Sequence, residues 1–371
     1  MGFSFSYMDP FVLLTFYILH IYVYWKFRQC FVEKRLPVGS FAYFAWATFI
    51  SAFPLALRYD MIDSGARVSE ILFALTITDF VIVGMAASSL VLTDVLKLCL
   101  MLRDRTVGNN AESFITPRRS AVFTLVVVFC VSLYGFFEAS RVRRVDLVIP
   151  ADKLPAGTER LRIVQISDIH IGGLYWAGHL ERAMEIVRSA EPDIFVVTGD
   201  LVDGNMDHRS RESELVASHG AKYGAFAVTG NHEYARDIDQ AVDYIKRSGL
   251  TLLEGQAAQA GGIAIVGLDD MAERWPLTLE VPDDLFVLLL KHRPQVPENS
   301  EGKFDLQLSG HTHGGQIWLF NASMHRHYDF TQGLSKRGES YVYVSNGTGF
   351  WGPPIRMFAP PEVTVIDLVR E

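Results

Sequence analysis

The 371-residue sequence predicts a mixed α/β domain that follows an all-α membrane domain. The first 140 residues contain long apolar stretches, whereas the remainder alternates short apolar runs with helix-like segments. Most of these runs end in Asp, Asn or His, and strands that alternate with helices are typical of α/β folds. We therefore expect a transmembrane domain at 1–140, a linker or first strand at 141–160 and an α/β domain at 161–371.

Four stretches of the first domain are long enough to cross a bilayer, which requires about 20 mainly apolar residues. They are residues 10–27, 38–57, 71–102 and 120–137. Lys and Arg concentrate in the first and third loops between these stretches, which predicts that those loops face the cytoplasm. Both termini would then lie outside, although the cluster Arg141, Arg143 and Arg144 after the fourth stretch opposes this orientation. We expect about four transmembrane helices in a plasma or inner membrane, with the second domain on the extracytoplasmic side.

Charge is unevenly distributed between the two parts. Residues 1–140 contain 11 Lys and Arg against 10 Asp and Glu, whereas residues 141–371 contain 23 against 32. Nucleic-acid binding needs a basic surface to neutralise phosphates. The acidic second part therefore excludes nucleic acid as an expected partner.

The second part contains a series of short apolar runs that predict strands. They are residues 161–167, 194–198, 225–229, 263–268, 286–290, 304–309, 341–349 and 362–368. Helix-like segments lie between some of them, at about 178–190 and 206–219. In α/β folds, ligands collect beyond the carboxyl ends of the strands, so the polar residues that follow these runs are candidates for a shared site.

Seven candidate ligands follow the predicted strands: Asp168, His170, Asp200, Asn231, His292, His311 and His313. Seven oxygen and nitrogen ligands are too many for one tetrahedral zinc ion. They suit two divalent ions that share a bridging carboxylate, and the absence of thiolates favours Mn, Fe, Zn or Co in a catalytic site. In the segment GHTHGGQ, a turning chain would direct His311 to one ion and His313 to the other.

A pair of close divalent ions polarises a phosphoryl group and activates water as a hydroxide nucleophile. His232 directly follows the candidate ligand Asn231, so we expect it to protonate the leaving oxygen. The remaining histidines lack placement at a strand end, and surface or loop positions are predicted for His179, His208, His219, His325 and His327.

The motifs of the second part resemble those of the calcineurin-like metallophosphoesterase superfamily. They are SDIH (167–170), GDLVDG (199–204), GNHE (230–233), KHRP (291–294) and GHTHGGQ (310–316). The ending GTGFWGPPIRMFAPPEVTVIDL is similar to one branch, the bacterial membrane-associated phosphoesterases. The resemblance covers residues 160–371 and implies a four-layer α/β/β/α sandwich with a dimetal site at one rim.

The same resemblance implies a role for each candidate residue. It implies a first metal bound by Asp168, His170 and His313, a second bound by Asn231, His292 and His311, Asp200 as the bridge, and His232 as the catalytic acid or phosphate contact. The metal could be Mn, Zn, Fe or a similar divalent ion. No ligand position of the family pattern is missing in this sequence.

We therefore expect a membrane-anchored dimetal hydrolase of phosphoric esters that acts on a phosphomonoester or phosphodiester of a lipid or cell-envelope metabolite. One alternative is a nucleotide-lipid pyrophosphatase of the UDP-diacylglucosamine type, which requires a site that faces the cytoplasm. A second alternative, of another class, is a non-catalytic membrane signalling or binding protein whose second domain only binds its ligand.

Overall fold

The computed structural model describes most of the chain. The described residues are 10–31, 42–50, 52, 67–107, 115–172, 177–235, 237–270, 272, 274, 279–300, 302–317 and 324–370. They form two compact units, one that ends at Tyr134 and one that begins at Gly135.

The first unit is helical. It contains α1 (Pro10–Arg28), a short 3₁₀ turn (Gln29–Phe31), a helical segment at 42–50, α2 (Arg67–Val107) and most of α3 (Pro117–Ala139). Among the described residues, two segments are long and apolar enough to cross a membrane, namely Leu75–Arg103 and Pro117–Ala139. Part of the predicted second span, 38–57, lies outside the described residues.

Polar side chains connect the helices of this first unit. His20 is buried, with Nδ1 3.0 Å from the hydroxyl of Tyr43 and Nε2 2.9 Å from Asp79. Asp94 accepts a hydrogen bond of 2.8 Å from Tyr22 and pairs with Lys26. Such pairs neutralise groups that would be costly to leave alone in an apolar setting.

The second unit contains two six-stranded sheets. Its strands are β1 (Arg143–Pro150), β2 (Arg160–Ile166), β3 (Ile194–Thr198), β4 (Ala225–Val228), β5 (Thr251–Leu252), β6 (Gln256–Ala260), β7 (Ile263–Leu268), β8 (Val287–Lys291), β9 (Leu306–Ser309), β10 (Gly333–Arg337), β11 (Ser340–Val344) and β12 (Glu362–Val369). The first sheet has the order β1-β12-β2-β3-β4-β5, and the second has the order β10-β11-β9-β8-β7-β6.

The strands that precede the candidate ligands are central and parallel. In the first sheet β2, β3 and β4 run parallel, and in the second β7, β8 and β9 do the same. The residues of β3, β4, β8 and β9 are all buried, which explains why these segments read as continuous apolar runs. Parallel strands bring their carboxyl ends to one edge of each sheet, and there the polar residues collect.

Helices cover one face of the first sheet. They are α4 (Ala177–Ser189), α5 (Ser210–Ala217) and α7 (Ile238–Arg247), while the short α6 (Asn231–Ala235) follows β4 at the polar edge. One apolar cluster packs α4, α5 and α7 against the first sheet, and a second fills the space between the sheets. A third cluster covers the outer face of the second sheet with residues from segment 272–296 that belong to no helix. The mixed α/β architecture is confirmed, and the helical fourth layer stays a prediction.

The structure corrects several local expectations. The predicted strand 341–349 ends at Val344, because the chain then turns at Gly347, whose φ is +81°. The short edge strands β5, β6 and β10 and the helices α6 and α7 were not predicted from the sequence. Within 141–160, where a linker or first strand is expected, residues 143–150 form a strand that pairs in parallel with β12.

Candidate metal centre

All seven predicted ligands lie beyond the ends of central strands. Asp168 and His170 follow β2, Asp200 follows β3, and Asn231 follows β4. His292 follows β8, and the pair His311 and His313 follows β9. The structure brings all seven together, and none of them is fully exposed to solvent.

One group consists of Asp168, His170 and His313, whose candidate ligand atoms all lie within 4.8 Å of one another. The Nε2 atoms of the two histidines are 3.1 Å apart, and Nε2 of His313 is 3.5 Å from Oδ1 of Asp168. All three residues are buried. Both rings therefore direct a nitrogen toward the same point beside a carboxylate.

A second group consists of Asp200, His292 and His311. Nε2 of His292 lies 3.2 Å from Oδ2 of Asp200, 3.2 Å from Nδ1 of His311 and 3.2 Å from Oδ1 of Asn231. This group thus offers two imidazole nitrogens, a carboxylate oxygen and an amide oxygen around one point.

Asp200 lies between the two groups. Its Oδ2 atom is 3.2 Å from His292 of the second group and 3.9 Å from Nε2 of His170 in the first group. A third, overlapping group joins His170, Asp200 and His232. Because Asp200 contacts both sides, it has the position from which one carboxylate could contact two ions.

Electrostatics favour the metal-binding form at several of these ligands but not at His292. Although burial opposes ionisation, the imidazoles of His292 and His232 hold the pKa of Asp200 well below its usual range. Burial also holds the pKa values of His311 and His313 well below the ordinary histidine value. Burial raises the pKa of Asp168, which a nearby cation would counteract. Ionised carboxylates and neutral imidazoles are the forms that bind metals. Although burial disfavours the charged ring of His292, the carboxylate of Asp200 raises the pKa of His292 to about 10, so a bound ion would have to displace that proton.

The donor set fits divalent metal ions. Two pairs of imidazole nitrogens lie only 3.1 and 3.2 Å apart, as ligands of a shared ion do, and buried carboxylates lie beside each pair. Oxygen and nitrogen donors without thiolate suit Mn, Fe, Zn or Co. The residues present can therefore hold two ions, and they do not select among these metals.

Left-handed backbone conformations concentrate at the ligands. Asp168, His170, Asp200, His311 and His313 all have φ between +50° and +72°. Non-glycine residues rarely adopt this region, and such strain persists only where the surroundings enforce it. Glycines make room nearby, because a Cβ on Gly199 would stand 2.6 Å from the ring of His292.

His232, the predicted acid, lies at the rim of the centre. Its backbone N–H donates to Oδ1 of Asp200 at 2.9 Å, and its Nε2 lies 4.0 Å from Oδ2 of the same residue. Its Nδ1 lies 3.0 Å from Oδ1 of Asp203. Although burial disfavours the charged ring, the carboxylates of Asp203 and Asp200 raise the pKa of His232 to about 9.

Asp203, which was not among the residues predicted from the sequence, contacts two histidines of the site. Besides His232, its carboxylate lies 3.5 Å from Nδ1 of His170. Although burial opposes ionisation, His232 and His170 hold the pKa of Asp203 well below its usual range. Such a carboxylate fixes which ring nitrogen faces the metals. Its position in GDLVDG, three residues after Asp200, was the available signal.

Glu233 was missed as well. Its buried carboxylate accepts hydrogen bonds from the backbone N–H groups of Gly230 at 2.7 Å, Asp200 at 3.0 Å and Val202 at 3.1 Å. It therefore connects the loop after β3 to the loop after β4. The last residue of the motif GNHE thus holds two ligand-bearing loops together.

Aromatic side chains flank the centre on both sides. The ring centroid of Trp351 is 6.2 Å from that of His232, and Tyr328 is 5.5 Å from His311. The side chain of Gln316 fixes the loop that carries Trp351, because it accepts from the N–H of Trp351 at 3.0 Å and donates to its carbonyl at 2.8 Å. Gln316, the last residue of GHTHGGQ, therefore holds the backbone of Trp351 in place beside the centre.

The other histidines lie outside the cluster of ligands. The prediction of a surface or loop position is wrong for His179, which lies on the inner face of α4 and is 3% exposed. Its Nε2 lies 2.5 Å from the carbonyl of Thr348, and burial lowers its pKa to about 4. His208 is exposed, and His219 is partly buried against Phe195. His325 and His327 are exposed in the short helical segment 324–327.

Comparison with known proteins agrees with this geometry. Residues 161–315 match the family model for the calcineurin-like phosphoesterase. An uncharacterized metallophosphoesterase of Aquifex aeolicus is 31% identical over 66% of this chain and 98% of its own length, and one of Campylobacter jejuni is 32% identical over 74% of this chain and 76% of its own. A Danio rerio protein named "Transmembrane protein with metallophosphoesterase domain" is 29% identical over 67% of this chain and 63% of its own.

The family model covers all the strand ends that carry the ligands, and the side chains there form groups that could hold metal ions. Members of this family are metal-dependent hydrolases of phosphoric esters and typically bind two metal ions. The chain therefore belongs to the calcineurin-like metallophosphoesterases.

Proposed function

We propose that this chain is a membrane-anchored dimetal phosphoesterase that hydrolyses a phosphomonoester or phosphodiester of a lipid or cell-envelope metabolite. The observation that carries the proposal is the position of Asp200 between two groups of ligands that converge from both sheets. A carboxylate in that position, with imidazoles on either side, supports a pair of close ions better than one isolated ion.

The proposed ligand sets follow the two groups. The first metal would be held by Asp168, His170 and His313, the second by Asn231, His292 and His311, and Asp200 would bridge them. Asn231 belongs to the second set because its amide oxygen lies 3.2 Å from Nε2 of His292. When bound, the two ions would supply Lewis acidity for the phosphoryl oxygens and a hydroxide nucleophile at neutral pH.

His232 is proposed to protonate the leaving oxygen. Nδ1 lies 3.0 Å from Oδ1 of Asp203, so an Nδ1–H would donate a hydrogen bond to that carboxylate while Nε2 faces the centre. Asp203 thereby orients the ring and stabilises its protonated form, as a carboxylate partner does for other catalytic histidines. Because His232 lies at the rim, its Nε2 can reach an oxygen on a substrate that enters beside Trp351.

Two features support a substrate at the membrane surface. Trp351 belongs to an apolar loop, 349–359, in which the side chain of Phe358 is 71% exposed. The same loop bonds to the last turns of α3, because the N–H of Arg356 donates to the carbonyl of Gly135 at 3.0 Å. The loop that carries Trp351 thus contacts the carboxyl end of a helix that is long and apolar enough to cross a membrane.

For the membrane domain we propose about four transmembrane helices within 1–140, with the hydrolase domain at 161–371 on the extracytoplasmic side of a plasma or inner membrane. The two segments that could cross a membrane support two of these spans. The 19-residue helix Pro10–Arg28 and the helical segment at 42–50 support the other two.

Asp200→Asn is expected to lower metal-dependent hydrolysis by about 10²–10³-fold, because the loss of a bridging charge removes several kcal/mol of stabilisation from both ions. The full-length protein in detergent would be stripped, reloaded with Mn²⁺ or Zn²⁺, and assayed with paired aryl phosphate monoesters and diesters. Metal content would be measured on the same samples.

The matched control is Asp207→Asn, which removes the same charge from an exposed side chain seven residues away. Wild-type rate and metal content in Asp200→Asn would contradict the bridging role.

His232→Ala is expected to retain both metals and to slow hydrolysis by about 10²–10⁴-fold for alkyl esters, which need a proton on the leaving oxygen. The loss should be smaller for a nitrophenyl ester, whose leaving group departs without protonation. Rates for both esters and bound metal would be measured beside His219→Ala, a control outside the cluster. If His232→Ala loses a metal instead, this residue is a ligand and not the acid.

A reporter of membrane side fused after Glu371 is expected to give an extracytoplasmic signal, and one fused after Val107 a cytoplasmic signal. These positions follow from the distribution of Lys and Arg in the loops. A cytoplasmic signal from the Glu371 fusion would contradict the proposed orientation. It would favour the nucleotide-lipid pyrophosphatase, whose substrates are available on that side.

A further inference from the structure

Arg356 is the largest fully buried side chain among the described residues, and the proposed reaction does not use it. A buried guanidinium is costly unless its donors are bonded. Here they meet backbone carbonyls: Nε and Nη2 donate to Gly349 at 3.0 and 2.6 Å, and Nη1 donates to Asn346 at 2.8 Å and Ala359 at 2.7 Å. One side chain therefore ties together the segments around residues 346–349 and 359.

The same guanidinium also reaches the segment that carries His313. Nη1 donates to the carbonyl of His313 at 3.3 Å, and Nη2 lies 3.2 Å from Nδ1 of its ring. The Nδ1 side of this imidazole thus contacts Arg356, while its Nε2 faces His170. The left-handed φ of +50° at His313 needs such external support.

The segment 346–349 in turn supports Asp168. The N–H of Gly349 donates to the carbonyl of Asp168 at 3.0 Å, and that of Thr348 donates to the carbonyl of Ser167 at 2.7 Å. A Cβ on Gly347 would stand 3.1 Å from Cβ of Asp168 and 3.2 Å from Nη2 of Arg356. Arg356 therefore contacts His313 directly and supports Asp168 indirectly, through the backbone of segment 346–349. Both residues belong to the first group of ligands.

The backbone of Arg356 is anchored to the end of α3. Its N–H donates to the carbonyl of Gly135 at 3.0 Å, and the N–H of Ala359 donates to Oε1 of Glu138 at 3.1 Å. No space remains at this contact, because a Cβ on Gly135 would stand 2.6 Å from Cγ2 of Ile355. The loop is thus fixed to the helix on both sides of Arg356.

We propose that Arg356 is a positioning residue for the first metal site, which it holds in shape by fastening the backbone of His313 and the support of Asp168 to the last turns of α3. The inference rests on the two-metal site of the proposed function. It makes the end of the helix a structural part of the metal centre, so the second unit is not complete without residues 135–139.

An arginine is needed because of its geometry. Its planar fork offers five N–H donors in fixed directions, which match carbonyls that converge from several segments. Lysine has one nitrogen on a flexible stem and cannot reach all of them at once. Arg356→Lys should therefore retain the positive charge but lose most of the hydrogen bonds to these carbonyls. This variant separates the positioning effect of Arg356 from its electrostatic effect.

The test uses full-length protein in detergent, titrated with Mn²⁺ alone and followed by electron paramagnetic resonance, which distinguishes a coupled pair of ions from a single ion. Arg356→Lys and Arg356→Gln are expected to bind one Mn²⁺ as the wild type does and the other about 10–100-fold more weakly, as is typical when the support of a ligand is lost. The signal of the coupled pair should then appear only at high Mn²⁺. Gly135→Ala, which displaces the loop from the helix side, should weaken the same site to a smaller extent.

Arg162→Gln is the matched control, because Arg162 also bonds a carbonyl and the carboxylate of Asp367 but lies away from the ligands. Three results would each contradict the positioning role of Arg356. They are wild-type affinities for both Mn²⁺ ions in Arg356→Gln, equal weakening of both sites in that variant, or the same weakening in Arg162→Gln. If Arg356→Gln does not fold, unchanged binding in Gly135→Ala contradicts that role. If the wild type binds no pair of ions, the proposed function itself fails.

Discussion

Two carboxylates buried at the junction of two sheets are the constraint on which this structure depends. Asp168 is 0% exposed and Asp200 is 2% exposed, and an ionised carboxylate in such a place needs cations or hydrogen bonds to compensate for lost water. The chain surrounds them with imidazoles and with backbone N–H groups, such as that of His311 at 3.0 Å from Oδ1 of Asp168. A pair of divalent ions would complete this compensation and at the same time provide the chemistry.

The supports of the ligands explain how such a cluster keeps its shape. Glu233 holds the loops after β3 and β4 together through three backbone N–H groups. The carboxylate of Asp203 lies 3.0 Å from Nδ1 of His232 and 3.5 Å from Nδ1 of His170, so it contacts both rings. Arg356 supports His313 through contacts with its carbonyl and with Nδ1 of its ring. Each of these three side chains contacts at least one ligand residue, so its interactions hold the ligands where their position matters.

The sequence predicts which polar side chains come together at the sheet edges, because the strands that precede them are buried on both sides. Runs such as 194–197 and 225–228 are apolar and buried throughout, so the polar residues that follow each run mark the sheet edge. Edge strands such as β6, with the sequence QAAQA, have no comparable signal. The helix α7 has an apolar face, with Ala241, Tyr244 and Ile245 buried, and this spacing could have predicted it. The motif GDLVDG offered a signal for Asp203. The role of Arg356 depends on carbonyls of several segments and on His313, 43 residues away, so it could not be predicted from local patterns.

The central claim is that two ions share Asp200, and anomalous X-ray diffraction from crystals of the Mn²⁺-loaded full-length protein tests it most directly. The account predicts two peaks about 3.5–4 Å apart with the carboxylate of Asp200 between them. One of these peaks should lie against Asp168, His170 and His313, and the other against Asn231, His292 and His311. A single peak, or two peaks that do not both contact Asp200, would contradict the account.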